Sequence, residues 1–175
     1  SGNLEVIGAI STGGANYGTA GAVLTSNGSS AAMSWNSPYY IRAYKTTNQT
    51  VGSTTSSFTT VDDFAVDSDA TTTNASSHFG DTTWIPPAGV YLVNIQINVS
   101  RANNIYFLRM GLFKNGSRIR LTRFEKEQNA DGGEMVNVSM SMSDLVFANG
   151  TDNFDVRIMG SISGTGGTND YRVMG

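Results

Sequence analysis

Apolar and polar residues alternate with the period of a β-strand along much of the chain after residue 37. Period two over nine or more residues predicts a strand with one buried face. The clearest case is residues 89–99, where one side is apolar throughout: Tyr91, Val93, Ile95, Ile97 and Val99. Shorter runs bounded by turn signals predict further strands. They cover residues 38–45, 61–66, 105–114, 117–123, 134–142, 145–147 and 154–158. The pattern predicts an all-β sandwich or barrel.

The strand predicted over residues 105–114 is apolar on both faces, and a strand of this kind is covered on both sides. One face carries Tyr106, Leu108, Met110 and Leu112, and the other carries Ile105, Phe107 and Phe113. In a two-layer sandwich, only one face of a strand packs against the other sheet. The second apolar face must be covered from outside the domain, which predicts an interface between copies of the chain on one of these faces.

A hairpin turn at Asn115-Gly116 leads from that strand into residues 117–123, because both positions of a tight hairpin turn favour positive φ. In the returning strand we expect Ile119 and Leu121 to point inward and the arginines to point outward.

Residues 1–36 differ from the remainder of the chain. They contain no Lys or Arg, one acid at Glu5, and only scattered apolar residues such as Val23, Leu24 and Trp35. Such a segment cannot offset an ordering entropy of roughly 1–2 kcal/mol per residue by itself. We expect an extended arm over 1–36 that borrows a surface from sister chains or a larger assembly, with Trp35 packed at its junction to a head domain over 37–175. A disordered linker over 1–36 is the alternative.

Composition narrows the classes of function. Ser, Thr, Asn and Gly supply 75 of the 175 residues, whereas charged residues make up 14%. Because these residue types favour strands and turns, a helical bundle is excluded. A net charge of −3 gives no sign of the basic surface that nucleic-acid binding requires. No apolar run reaches the ~20 residues of a membrane-spanning helix, so we expect no nucleic-acid partner and no membrane insertion.

The chemistry open to the chain is limited by its side chains. It has no cysteine and one histidine, His78, which lies in a turn-like stretch without a nucleophile motif. We therefore expect no catalytic residues, no cofactor and no metal. A hydrolase acting on glycans remains an alternative, with paired carboxylates meeting at a subunit boundary.

Three clusters are candidate binding sites. The first is acidic, and its Asp67-Ser68-Asp69 stretch could supply oxygen ligands to Ca²⁺, although a solvated acidic loop explains it as well. The second is basic and could bind an acidic glycan or phosphate, although the neighbouring Glu125 and Glu127 predict a self-neutralised strand edge. The third is aromatic and could stack on sugars, although such residues are more often core or interface. The acidic cluster comprises Asp62, Asp63, Asp67 and Asp69, the basic one Arg118, Arg120, Arg123 and Lys126, and the aromatic one Tyr39, Tyr40, Tyr44, Trp84 and Tyr91.

Three stretches in the second part of the chain resemble a known family. They are A-G-V-Y-L-V-N-I-Q-I (88–97), G-L-F-K-N-G (111–116) and D-L-V-F-A-N-G-T-D-N-F-D-V-R-I (144–158). They resemble the globular heads of complement-type collagens and tumour necrosis factor ligands, over roughly residues 38–175. The resemblance implies a jelly-roll β-sandwich and a homotrimer, with the Tyr106/Leu108/Met110/Leu112 face or its opposite on the threefold axis. The sequence departs from the family in the N-G-T-D turn and in the short final Y-R-V-M-G.

The first part of the chain resembles another group. G-T-A-G-A-V-L-T-S-N-G-S-S-A-A-M-S-W (18–35) is similar to a repeat of bacteriophage tail-fibre and other virion appendage proteins. The resemblance implies a virion location, an arm that joins other virion proteins, and a head that binds a glycan or protein receptor on the host surface. A capsid decoration (cement) protein and a secreted lectin-like module remain alternatives.

Overall fold

The computed structural model describes residues 22–26, 32–36, 39–52, 54–67, 75–100, 105–125, 137–162 and 170–174, together with Ser11. The described part is all-β, as the alternation predicts, and no helix in it is long and apolar enough to cross a bilayer. A short 3-10 helix spans Ala75–His78. The strands are β1 Val23–Thr25, β2 Ser34–Asn36, β3 Ala43–Lys45, β4 Gln49–Gly52, β5 Thr54–Thr60, β6 Phe64–Val66, β7 Ala88–Ser100, β8 Ile105–Lys114, β9 Ser117–Glu125, β10 Asn137–Asn149, β11 Phe154–Ile162 and β12 Asp170–Val173.

Two four-stranded antiparallel sheets pack face to face. One has the order β10-β7-β12-β4 and is called the β7 sheet below; the other has the order β5-β11-β8-β9 and is called the β8 sheet. The core lies between them, because the inward residues of both sheets form one buried cluster. It includes Ile97, Val99, Met140 and Val146 from the β7 sheet and Leu108, Met110, Phe154 and Ile158 from the β8 sheet.

Strand β8 corrects the expectation for one of its two faces, the one that carries Leu108, Met110 and Leu112, whereas a cover from another chain on the opposite face stays a prediction. Leu108, Met110 and Leu112 are buried between the two sheets, so this face is core and does not lie on a symmetry axis. On the opposite face, Phe113 is buried by the chain itself. The Arg157 guanidinium lies 4.2 Å from the centroid of the Phe113 ring, and the Phe58 ring meets it edge-on at 5.2 Å. The side chains of Ile105 and Tyr106 lie outside the described residues.

Strand β9 corrects the predicted inward orientation of Ile119 and Leu121. Both side chains are exposed, and the pairing with β8 shifts register between Leu112 and Phe113. Arg120 is opposite Leu112 and Arg118 is opposite Phe113, so Ile119 is the extra residue of a β-bulge. Because a bulge moves every later side chain to the other face, Phe124 rather than Leu121 packs against the core.

Three further elements differ from the sequence prediction. The Thr- and Ser-rich tract over 46–60, in which we predicted no strand, contains β4 and β5, since β-branched Thr suits a pleated strand and Val51 supplies a buried anchor. From Asn137 onward, the residues of the two separate strands predicted over 134–142 and 145–147 lie in the single strand β10, and residues 134–136 lie outside the described part. Within the arm, β1 and β2 form a hairpin in which Leu24 is opposite Trp35.

Truncating Leu108 tests whether its face is core. Leu108→Ala should lower the free energy of unfolding by about 2–5 kcal/mol, because it leaves a cavity between the sheets. Ile119→Ala removes a solvent-exposed side chain and should change the free energy by less than about 0.5 kcal/mol. Urea unfolding monitored by far-ultraviolet circular dichroism measures both. Equal effects of the two substitutions would contradict the assignment of Leu108 to the core.

Candidate functional site

An apolar patch lies on the outer, solvent-facing side of the β7 sheet. Leu92 of β7 is directly opposite Leu145 of β10, and Val90 is directly opposite Phe147. Their side chains are 67%, 68%, 63% and 63% exposed, respectively. These four residues, called the apolar patch below, are cross-strand neighbours and so form one continuous surface. Because monomeric proteins rarely expose contiguous apolar surface, this patch is a candidate interaction site.

The other half of the same outer face is polar. Ser143 of β10 donates a hydrogen bond of 2.7 Å to the side-chain oxygen of Asn94, and Ser139 donates one of 2.6 Å to that of Asn98. This ladder of amides and hydroxyls occupies the part of β7 that follows Leu92. The outer face is thus divided along its strands into an apolar half and a polar half, which gives the surface a sharp boundary.

A network of polar side chains fixes the turns beside the apolar patch. The Lys114 ammonium donates a hydrogen bond of 2.9 Å to the backbone oxygen of Phe147 and pairs with Asp152 Oδ2 at 2.9 Å. Asn115 Nδ2 donates to Asp152 Oδ1 at 2.8 Å, and the backbone amide of Asn149 donates to Asp152 Oδ2 at 2.9 Å. The β8–β9 turn is therefore tied to the β10–β11 turn, and Phe147 is held at their junction.

This network sets the acid–base behaviour of Asp152. The hydrogen bond from Lys114 is the largest influence and holds the pKa of Asp152 below its ordinary value of 3.8. Burial opposes that effect, while the hydrogen bonds from Asn115 and Asn149 add to it. Because the pKa is lowered in the folded state, the Asp152 carboxylate stabilises the fold above pH 3.8. The contribution is lost as the pH falls through the lowered value.

An apolar groove with a volume of about 430 Å³ runs along one edge of β7. Its wall contains aromatic residues that sequence analysis singled out as sugar-stacking candidates. The Trp84 ring lies 5.3 Å from both the Tyr91 and Phe154 rings, and its indole nitrogen donates to the Tyr39 hydroxyl at 3.2 Å. Tyr39, Trp84 and Tyr91 thus contact one another.

Burial accompanies this packing in the aromatic wall. Desolvation raises the pKa of both Tyr39 and Tyr91. The remaining two aromatic candidates, Tyr40 and Tyr44, are each 55% exposed. The structure therefore separates the predicted aromatic cluster into three packed rings and two surface rings.

The acidic candidates are dispersed over separate partners. Asp62 pairs with Lys45 Nζ at 3.1 Å, Asp67 accepts a bond from Arg42, and Asp63 accepts one from Thr47. Asp69 lies outside the described residues. Within the described ranges, no group of three or more His, Asp or Glu side chains is arranged to hold a metal ion.

The basic candidates do not share one face. Because of the bulge at Ile119, Arg118 is opposite Phe113 on the outer side of the β8 sheet, whereas Arg120 is opposite Leu112 on the inner side. Arg123 is opposite Arg109. Lys126 lies outside the described residues. The three described arginines are thus divided between the two sides of an edge strand.

The His78 ring contacts a backbone oxygen and an aromatic ring of the same chain. Its Nδ1 lies 2.8 Å from the backbone oxygen of Ile85, and its ring meets Tyr39 edge-on at 5.8 Å between centroids. The residue connects the 3-10 helix to the segment that leads into β7. The expectation that it has no catalytic role stays a prediction.

Sequence analysis missed the apolar patch, although a signal was present. Residues 90–93 read V-Y-L-V and residues 145–148 read L-V-F-A, so alternation fails in both runs. Two strands that are apolar on both faces at the same end of a pair predict an outer apolar surface there. Their register, Leu92 opposite Leu145, follows only from the structure.

Asp152→Asn should lower the urea midpoint at neutral pH, because the neutral amide no longer forms an ion pair with Lys114. The difference from the unsubstituted protein should shrink as the pH falls from 3.8 through the lowered pKa of Asp152, because the carboxylate becomes protonated in the folded state there. Asp81→Asn, which changes an exposed carboxylate, is the matched control and should leave the midpoint unchanged. A difference that persists unaltered at acidic pH would contradict the ion-pair explanation.

No family model matches the sequence, and no curated protein is detectably similar to it. The geometry of the outer face and the short motifs therefore carry the functional argument.

Proposed function

We propose that the protein is a bacteriophage virion appendage protein, with a homotrimeric jelly-roll head that binds the host surface and an N-terminal arm that joins other virion proteins. Its role in this proposal is structural and adhesive, without catalysis. The proposal rests on the apolar patch on the outer face of the β7 sheet. Exposed apolar side chains that lie side by side are typical of a surface that contacts another protein.

The strand order supports the jelly-roll assignment. In chain order, the eight strands of the two large sheets pair first with eighth, third with sixth, second with seventh and fourth with fifth. A long hairpin folded over itself into the two Greek keys of a jelly roll would produce this order of pairing. It also agrees with the resemblance to complement-type and tumour necrosis factor heads.

The apolar patch supports the trimer. Four neighbouring side chains, each more than 60% exposed, would be desolvated if copies of the chain met on this face. Obligate interfaces resemble a domain core cut in half, and the apolar half of the face has that character. The polar ladder beyond Asn94 would form its rim. The trimer in this proposal uses the outer face of the β7 sheet instead of strand β8.

The arm supports assembly with other chains. Its β1–β2 hairpin has only two strands, and an isolated two-stranded hairpin is marginally stable in water. Val23 is 56% exposed, and the buried indole nitrogen of Trp35 meets no acceptor among the described residues. A neighbouring chain that covers this hairpin would supply both apolar contact and an acceptor. The phage-like string over 18–35 includes β1 and the first two residues of β2.

Placing a charge in the apolar patch tests the trimer. Leu92→Asp should convert a trimer to monomers at micromolar concentration, because a carboxylate would be buried without a partner. The far-ultraviolet β signature should remain, since Leu92 faces solvent within one chain. Ile119→Asp, which places the same charge on an exposed position of the β8 sheet, should leave the trimer intact. Sedimentation velocity separates the two states, and an unchanged trimer in Leu92→Asp would remove the patch from the interface.

Deleting the arm tests the virion role. A chain beginning at Pro38 should keep its β signature but lose incorporation into particles, as measured by immunolabelling of purified virions. The full chain is the control. Normal incorporation of the shortened chain would place attachment in the head and favour the cement-protein alternative. Glycan binding by the full chain without association with any particle would favour the lectin-like alternative.

A further inference from the structure

The outer side of the β8 sheet gathers arginines from three neighbouring strands. Arg109 of β8 is directly opposite Arg123 of β9, and Arg118 of β9 is directly opposite the outer residue Phe113. Arg157 of β11 lies on the same side, because its two neighbours along the strand point into the core. These four residues, Arg109, Arg118, Arg123 and Arg157, are called the arginine face below.

Aromatic rings hold two of these cations in place. The Arg157 guanidinium carbon lies 4.2 Å from the centroid of the Phe113 ring, and that of Arg118 lies 5.8 Å from the centroid of the Phe58 ring. The two rings meet edge-on at 5.2 Å, so both cations and both rings form one connected group. A guanidinium held over a ring keeps N–H donors in its own plane for a ligand. Because such a side chain is already ordered, it loses less entropy on binding.

The arginine face brings like charges together. Arg109 and Arg123 are cross-strand neighbours with Cβ atoms about 4.5–5.5 Å apart, and like charges in this position destabilise a sheet. Asp155 holds Arg157 through hydrogen bonds of 2.5 and 2.9 Å. It is the one acidic side chain that the described residues place on this side of the sheet, and the side chain of Glu125 lies outside them. The described side chains therefore give this side a positive excess that an anion would reduce.

The arginine face stays accessible in the proposed trimer. Arg118 and Arg123 are exposed, and Arg109 and Arg157 are half-buried. The β7 and β8 sheets are the two layers of one sandwich, so the arginine face and the apolar patch point in opposite directions. Contact between copies through the apolar patch leaves the exposed arginines in solvent. A trimer would present three arginine faces, and several weak contacts on one polymer add to its avidity.

The spread of the cations favours a polymer over a compact anion. They lie on three adjacent strands, about 10 Å across, and extend roughly 15 Å along β9 from Arg118 to Arg123. A single small anion reaches only one or two of them. A chain with repeated acidic groups reaches several, and the planar guanidinium suits a carboxylate because two N–H groups can donate to its two oxygens.

We propose that the arginine face binds an acidic polysaccharide, a polymer of sugars that carries repeated carboxylates. This inference deepens the proposed function, on which its biological role rests, by naming the chemistry of the host-surface receptor. The sequence does not reveal the site, because the four arginines come from three strands and are brought together only by the register of the β8 sheet.

A nucleic acid fits the arginine face less well. Proteins that bind single strands combine cations with exposed aromatic rings on which the bases stack. Here the Phe113 ring is 7% exposed and has the Arg157 guanidinium over it. Phe58 is half-buried, with Arg118 over its ring. The rings therefore support the arginines and offer no stacking platform.

Titration of the full, unsubstituted chain with polygalacturonate, followed by calorimetry, tests the binding. The chain should bind polygalacturonate but not neutral dextran of similar length. The affinity should fall as sodium chloride is added, because salt screens contacts between exposed charges.

Substitution of the two exposed arginines tests the location. Arg118→Gln/Arg123→Gln should weaken the binding of polygalacturonate at least about tenfold, because it removes two charge-assisted contacts. Arg120→Gln/Arg172→Gln is the matched control, because it removes the same charge from exposed residues outside the arginine face. The control should change the affinity by less than about twofold. Far-ultraviolet circular dichroism checks that both variants keep the fold.

Chemical protection tests the same location without any substitution. Phenylglyoxal modifies accessible arginines, and mass spectrometry of the digested chain measures the extent at each position. Polygalacturonate should protect Arg118 and Arg123, whereas Arg120 and Arg172 should react equally with and without it. This measurement decides the location even if a variant fails to fold.

Three results would overturn the inference: no binding of polygalacturonate by the unsubstituted chain, equal loss of affinity in the two double variants, or tighter binding of single-stranded poly(dT) than of polygalacturonate at the same salt concentration. The last result would assign the arginine face to nucleic acid. All three are measured on the purified chain. Absence of glycan binding together with a trimer and normal virion incorporation would reject this inference and leave the assembly role in the proposed function standing.

Discussion

The antiparallel pairing of β7 with β10 is the constraint on which the other features of the molecule depend. It runs without a register shift over thirteen residue pairs, from Ala88 opposite Asn149 to Ser100 opposite Asn137. Because side chains alternate strictly across such a pair, one register fixes both faces at once. The inner face supplies Ile97, Val99 and Met140 to the core, and the outer face gathers the apolar patch at one end and the amide–hydroxyl ladder at the other.

The same pair governs how the domain relates to its surroundings. On the inner face of β7, Ile97 and Val99 are buried against the core where β12 lies beside the strand. The apolar side chains on the outer face have no cover in the described chain. The β8 sheet shows the contrasting solution, because its outer apolar residue Phe113 is covered by the Arg157 guanidinium and the Phe58 ring. On the β8 sheet Phe113 is thus covered from within the chain, although Ile119 and Leu121 remain exposed, while the β7 sheet presents four neighbouring apolar side chains suited to a protein contact.

The sequence was sufficient for the all-β class and for the strands with the strongest alternation. Residues 89–99 lie within β7 almost without change of boundary, and the Asn115-Gly116 turn has positive φ at both residues. Local pattern was insufficient where a long-range pairing decides the outcome. The bulge at Ile119 reverses the orientation of Leu121, and a bulge has no signature in a run such as S-R-I-R-L. The candidate surface was missed for the same reason, since Leu92 and Leu145 are 53 positions apart in sequence and become neighbours only through register. Among the described members of the charged clusters, Asp62, Asp63 and Asp67 each have a separate partner, and the bulge places Arg120 on the opposite side of the sheet from Arg118.

The central claim is that copies of the chain meet through the outer face of the β7 sheet in a homotrimer. Sedimentation equilibrium of the unsubstituted full chain, across concentrations from nanomolar to tens of micromolar, tests it most directly. The interpretation predicts one folded species at three times the chain mass throughout the micromolar range. A stable, folded monomer at those concentrations would contradict it, because the apolar patch would then be exposed to solvent in the native protein.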